Sequence, residues 1–144
     1  MTVLVIDASV AVKWVVQETG TADALALRKA TLAASDLLVP ECANILWKKR
    51  RLGQLTSAEA MAAAQLLERA DIELAPMRAH LHAATALAIE LDHLAYDCLY
   101  ISIALEKGCP FVTADQRLLR KVQQSPRQDV AAMIIDLRQA PALL

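Results

Sequence analysis

Val3-Leu4-Val5-Ile6-Asp7-Ala8-Ser9 sets four consecutive apolar residues before an acid, and then small residues that run on into a helical pattern. An apolar run without polar alternation reads as a strand covered on both faces, as in parallel sheets. Short apolar runs recur at Leu37 to Val39, Ile72 to Leu74, Phe111 to Val112 and Met133 to Ile135. Helical patterns lie between them. The spacing predicts helices over Ala8 to Val16, over residues near 21–34, and over Glu41 to Leu52, the last closed by Gly53 as a left-handed cap. Thr56-Ser57-Ala58-Glu59 has capping-box spacing and should open a helix running to about Arg69. Leu81, Ala84, Ala88 and Leu91 recur at helical spacing, residues 97–107 are apolar nearly all round, and a last helix runs from Asp115 to about Gln124. Alternating strands and helices predict an α/β fold with a central parallel sheet between helical layers.

The chain of 144 residues has the length of one domain, which buries roughly 70% of its unfolded surface. Hydrophobic residues make up 56% but aromatics only 3%, so Ala, Leu, Val and Ile must fill the core. With 15 basic and 16 acidic residues the net charge is −1, and no global positive field draws in a polyanion. A nucleic-acid site would need a local patch of Lys and Arg, or a bound metal. Cys42, Cys98 and Cys109 fit neither a disulfide frame nor a zinc ribbon, and they read as core residues of a reduced, cytoplasmic protein. Asp7 and Lys13 interrupt the N-terminal apolar stretch, and no run reaches the roughly 18 residues of a membrane span. No membrane association is expected.

Asp7 directly follows the first strand, Glu41 stands one residue past Pro40 after the 37–39 run, and Asp115 comes three residues after Val112. Ligands of open parallel sheets bind at the carboxyl ends of strands, so these acids should converge on one rim. Asp97 heads the apolar 97–107 helix, where an unpaired carboxylate is costly. Each acid also lies near a helix N-terminus, where capping is a competing role. Collection in one pocket changes the balance, because two unit charges about 5 Å apart repel by roughly 3 kcal/mol at an effective dielectric near 20. Four such groups raise one another's pKa or splay apart without a counter-ion. An all-oxygen donor set suits Mg²⁺, with Mn²⁺ also possible.

Val5-Ile6-Asp7-Ala8-Ser9, Pro40-Glu41 with Asn44 and Leu46, Tyr96-Asp97-Cys98-Leu99-Tyr100 and Val112-Thr113-Ala114-Asp115 together resemble the ordered motifs of PIN-domain ribonucleases, most closely the VapC-type toxins of bacterial toxin–antitoxin pairs. The resemblance spans nearly the whole chain. It implies a Rossmann-like three-layer PIN fold and cleavage of RNA with Mg²⁺ or Mn²⁺. Asp7, Glu41, Asp97 and Asp115 match the family's acidic positions, with Asp7, Asp97 and Asp115 as expected metal ligands; Ser9 and Thr113 match its supporting hydroxyls. It also implies a cognate antitoxin and a homodimer.

Asn44 and Lys48 share a helical face with Glu41, so Asn44 is either a support for the acids or an ordinary surface residue. Lys48, Lys49 and Arg50, with Arg117 beyond Asp115, are candidate contacts for RNA phosphates; the competing reading is a solvated helix end. Trp14 and Trp47 read first as core residues, and alternatively as part of an antitoxin groove. His80, His82 and His93 read as surface or loop residues. A receiver domain is disfavoured, because Ile6 precedes Asp7 where an acidic pair is wanted. A D-x-D phosphohydrolase is disfavoured by Ser9, and a non-catalytic binding module stays open.

Overall fold

A computed structural model describes residues 1–144. β1 (Val3–Ile6) leads into α1 (Ala8–Ala11), which tightens into a 3-10 turn at Val12–Trp14. α2 (Thr21–Ala26), β2 (Thr31–Ser35), α3 (Leu38–Arg51), α4 (Ser57–Glu68) and β3 (Glu73–Ala75) follow. The chain continues with α5 (Leu81–Leu91), α6 (Ala95–Lys107), β4 (Phe111–Thr113), α7 (Gln116–Gln123), α8 (Gln128–Met133) and β5 (Ile134–Asp136). The five strands form one sheet in the order β3-β2-β1-β4-β5, every pair parallel. Strand order reverses between β1 and β4, which is where such a sheet opens a crevice at its carboxyl edge.

The apolar residues of β1 and β4 explain why these strands are central. Leu4, Val5, Ile6, Phe111 and Val112 are fully buried. α6 lies across β1, β2 and β4, and α5 packs on α6. Tyr100 of α6 stacks on Phe111 with ring centroids 5.6 Å apart, so the helix above the crevice is fixed by its largest buried side chain. All three cysteines are free and buried, and the Thr56–Glu59 capping box forms.

Two sequence expectations fail. Leu37 to Val39 is not a strand but the entry to α3, and Pro40 fits that helix's first turn, where its missing N–H is no loss. The strand there is Thr31–Ser35, inside the stretch read as helix near 21–34. Alanine favours helix in isolation, yet Ala33 and Ala34 are buried on opposite faces of a strand set between β1 and β3, with α6 packed across it. Pairing and packing within the sheet override propensity. α8 was also unforeseen. No helix is long and apolar enough to cross a membrane.

Candidate active site

The crevice between β1 and β4 holds Asp7. One register step beyond the last β1–β4 pair, Ile6↔Val112, Thr113 Oγ1 donates to Asp7 Oδ2 at 2.5 Å. Ser9 Oγ donates to the other oxygen, Oδ1, at 2.5 Å, and itself accepts from the Ala114 N–H at 3.0 Å. Asp7 occupies the N-cap position of α1, yet its carboxylate caps nothing. The side chain faces into the crevice instead of the helix end.

Glu41 stands in the first turn of α3, six residues beyond β2 and so not at a strand end. Its Oε1 accepts from the buried Tyr100 hydroxyl at 2.5 Å. Asp97 is the third residue of α6, and its Oδ2 accepts from His93 Nε2 at 2.5 Å. His93 is positioned by the end of α5. There Asp92 takes a left-handed conformation (φ 50°), and the His93 N–H bonds back to the Ala88 carbonyl at 3.1 Å. Asp115 is a true N-cap, accepting from the backbone N–H groups of Arg117 (2.9 Å) and Leu118 (3.3 Å). Capping therefore accounts for one of the four acids.

Asp7, Glu41 and Asp97 each carry a pKa raised by burial and by a neighbouring acid. Burial raises Asp7 from 3.8 to about 7; the Ser9 and Thr113 hydroxyls pull it back, and the charges of Asp97 and Glu41 push it further up. Burial also raises Glu41, opposed by the Tyr100 hydroxyl and reinforced by Asp97. Asp97 is raised by burial, lowered by His93 and raised again by Asp115. Negative charge thus accumulates, and His93 is the one basic side chain hydrogen-bonded to any of the four acids. As they stand, no three His, Cys, Asp or Glu side chains close on a common point. A carboxylate nevertheless offers about four lone-pair positions, and the hydrogen bonds found on Asp7, Glu41 and Asp97 leave some of these free. The oxygen-only acids fit a hard divalent cation in chemistry and charge.

Tyr100 and His93 are the site residues that sequence reasoning missed. Signals existed: a tyrosine in a nearly all-apolar helix must place its hydroxyl, and His93 precedes Asp97 by four residues. The expectation that all three histidines are surface or loop residues holds for His93, in the turn between α5 and α6, and fails for His80, which is buried and bonded to Ser102 Oγ at 2.8 Å and Glu106 at 3.0 Å. Asn44 is exposed and makes no side-chain hydrogen bond, as does Lys48. Lys49 is tied to Glu18 at 2.7 Å, and Arg50 donates to Ser57 Oγ at 2.8 Å. Trp14 packs partly buried, its Nε1 donating to the Ala24 carbonyl at 2.7 Å, whereas Trp47 is 56% exposed and not a core residue.

The PIN domain family model matches residues 4–124. Ribonuclease VapC3 of Pyrobaculum aerophilum is 33% identical over 125 residues, covering 82% of this chain and 93% of that one. The crystal structure of PAE2754 from Pyrobaculum aerophilum superimposes with a TM-score of 0.70 at 23% identity, over 99% of this chain and 94% of that one, a likeness of fold.

Proposed function

Because the chain belongs to the PIN domain family, we propose that it is a metal-dependent endoribonuclease serving as the toxin of a toxin–antitoxin pair. The observation that carries the reading is the gathering of Asp7, Glu41, Asp97 and Asp115 around the crevice at the β1–β4 reversal, three of them bonded by groups outside any helix cap. Relationship to a ribonuclease of the VapC class supports RNA as the substrate.

In this reading Asp7, Asp97 and Asp115 hold Mg²⁺ or Mn²⁺. When bound, the cation supplies neutralisation of a scissile phosphate and acidifies water. Ser9 and Thr113 hold the Asp7 carboxylate in one orientation, and His93 does the same for Asp97. Glu41, raised by burial and bonded by Tyr100 through Oε1, keeps Oε2 free to take a proton from the attacking water. An apolar groove of about 380 Å³ between α3, α4 and β3, lined by residues such as Leu38, Leu46, Leu67 and Leu74, supports a protein antitoxin as the partner. Homodimerisation and a cytoplasmic location complete the proposal.

The deciding assay is RNA cleavage with added Mg²⁺ or Mn²⁺ and again in excess EDTA. Cleavage should appear with the metal and vanish with the chelator; undiminished cutting in EDTA would falsify metal dependence. Expression alone should arrest growth, and co-expression of the protein encoded directly upstream should restore it. Normal growth at verified expression would refute the toxin role while leaving the nuclease intact.

A further inference from the structure

The two basic clusters near the acids differ in what their charges already do. At the end of α3, Lys49 is paired with Glu18, Arg50 is bonded to Ser57, and the Arg51 guanidinium lies 5.6 Å over the Trp47 ring. On α7, the Arg117 side chain has no ion-pair or hydrogen-bond partner. Lys121 has only Asp92 at 3.9 Å, a carboxylate 99% exposed to water. Arg117 and Lys121 are four residues apart and so share a helix face. With Ala88, Asp92, His93 and Leu94 they line a concavity of about 510 Å³. His93 is also the side chain bonded to Asp97, so this concavity abuts the acidic crevice.

We propose that this concavity seats a backbone phosphate of single-stranded RNA adjacent to the one being cut, with Arg117 and Lys121 as its cationic ligands. Ala88 and Leu94 offer apolar surface to the attached nucleoside. The inference rests on the ribonuclease reading above. Because the net charge is −1, no long-range field assists capture, and the substrate must be held by cations that are locally free. Arg117, unpaired, and Lys121, held only by a water-exposed Asp92, line the concavity beside the crevice and meet that need; the cations at the end of α3 are mostly engaged. Phosphate contacts of this kind fix the strand's position without reading its bases.

The test is the binding of a fluorescein-labelled single-stranded RNA about 20 nucleotides long, followed by anisotropy across a salt series, with Ca²⁺ replacing Mg²⁺ so that the strand stays whole. Arg117→Ala and Lys121→Ala should each weaken binding about threefold or more, and each should make the plot of log K against log salt shallower by about 0.7. Arg117→Lys, which keeps the charge, should restore the slope. Lys29→Ala, which removes one positive charge at the opposite end of the sheet, should leave the slope unchanged. Both replaced side chains reach the surface of α7, and melting curves check that the variants fold. If the Arg117→Ala/Lys121→Ala double variant binds with wild-type affinity and slope, the subsite is refuted and the nuclease reading stands. If the wild type neither binds nor cuts RNA, both fall together.

Discussion

At the scale of single residues, Asp7 shows most clearly what the fold asks of its site. The residue is 6% exposed, and two hydroxyl donors do not offset the burial, which pushes its pKa up to about 7 from 3.8. The folded state therefore holds the Asp7 proton more tightly than the unfolded state does. Without metal, the associated stability is complete below about pH 4 and is lost as pH rises through about 7, a change on the order of 4 kcal/mol. Asp7→Asn should flatten that part of the metal-free stability profile, measured by denaturant titration at several pH values. Equal slopes for wild type and variant would show that Asp7 titrates normally. Asp7→Asn and Asp97→Asn should also fold normally, since neither carboxylate caps a helix. Cleavage should nonetheless fall more than a hundredfold, the consequence of losing about 3 kcal/mol of transition-state stabilisation. Tyr100→Phe isolates another contact, because the ring keeps its stacking on Phe111 while Glu41 loses its donor. It should cost about 1–2 kcal/mol of stability, and an unchanged melting temperature would show the hydroxyl contact to be incidental.

Secondary-structure elements show where the sequence was legible. β1 and β4 announce themselves because Leu4 to Ile6 and Phe111-Val112 are consecutive apolar residues, fully buried on both faces of the sheet; the Thr56 capping box and Gly53 mark helix ends by local chemistry alone. β2 is different. Its Ala33 and Ala34 carry no strand signal, and only their place between β1 and β3 under packed layers explains them, a tertiary fact absent from any local window. The neighbouring Leu37-Leu38-Val39 then takes the strand reading by default, which misplaces the support of Glu41, a residue of the first turn of α3 and not of a strand end. His93 was missed for a related reason. Its approach to Asp97 depends on the left-handed Asp92 at the end of α5, a turn normally given to glycine. Asp92→Gly should therefore raise the melting temperature, by the equivalent of about 0.5–1 kcal/mol, because the turn is kept and the strain removed. A lower melting temperature would mean that the Asp92 side chain supports the turn.

Over the whole molecule, a ligand that binds only the folded chain stabilises it by mass action. Mg²⁺ at a hundred times its dissociation constant should add about 2.7 kcal/mol. Thermal melting with and without Mg²⁺ should show this shift in the wild type and lose it in Asp7→Asn. An equal shift in both would place the ion elsewhere. The bond between Asp7 and Thr113 joins residues 106 positions apart, and it has a consequence in time. At synthesis rates of about 5–20 residues per second, roughly 5–20 s pass between the making of the first and of the second. Throughout that interval the nascent chain has its first acid and no fourth strand to set beside it. A ribosome that stalls or drops off midway releases a product without a site. Whatever the crevice does, it can do only once the chain has been made through Thr113, and Asp115 follows two residues later.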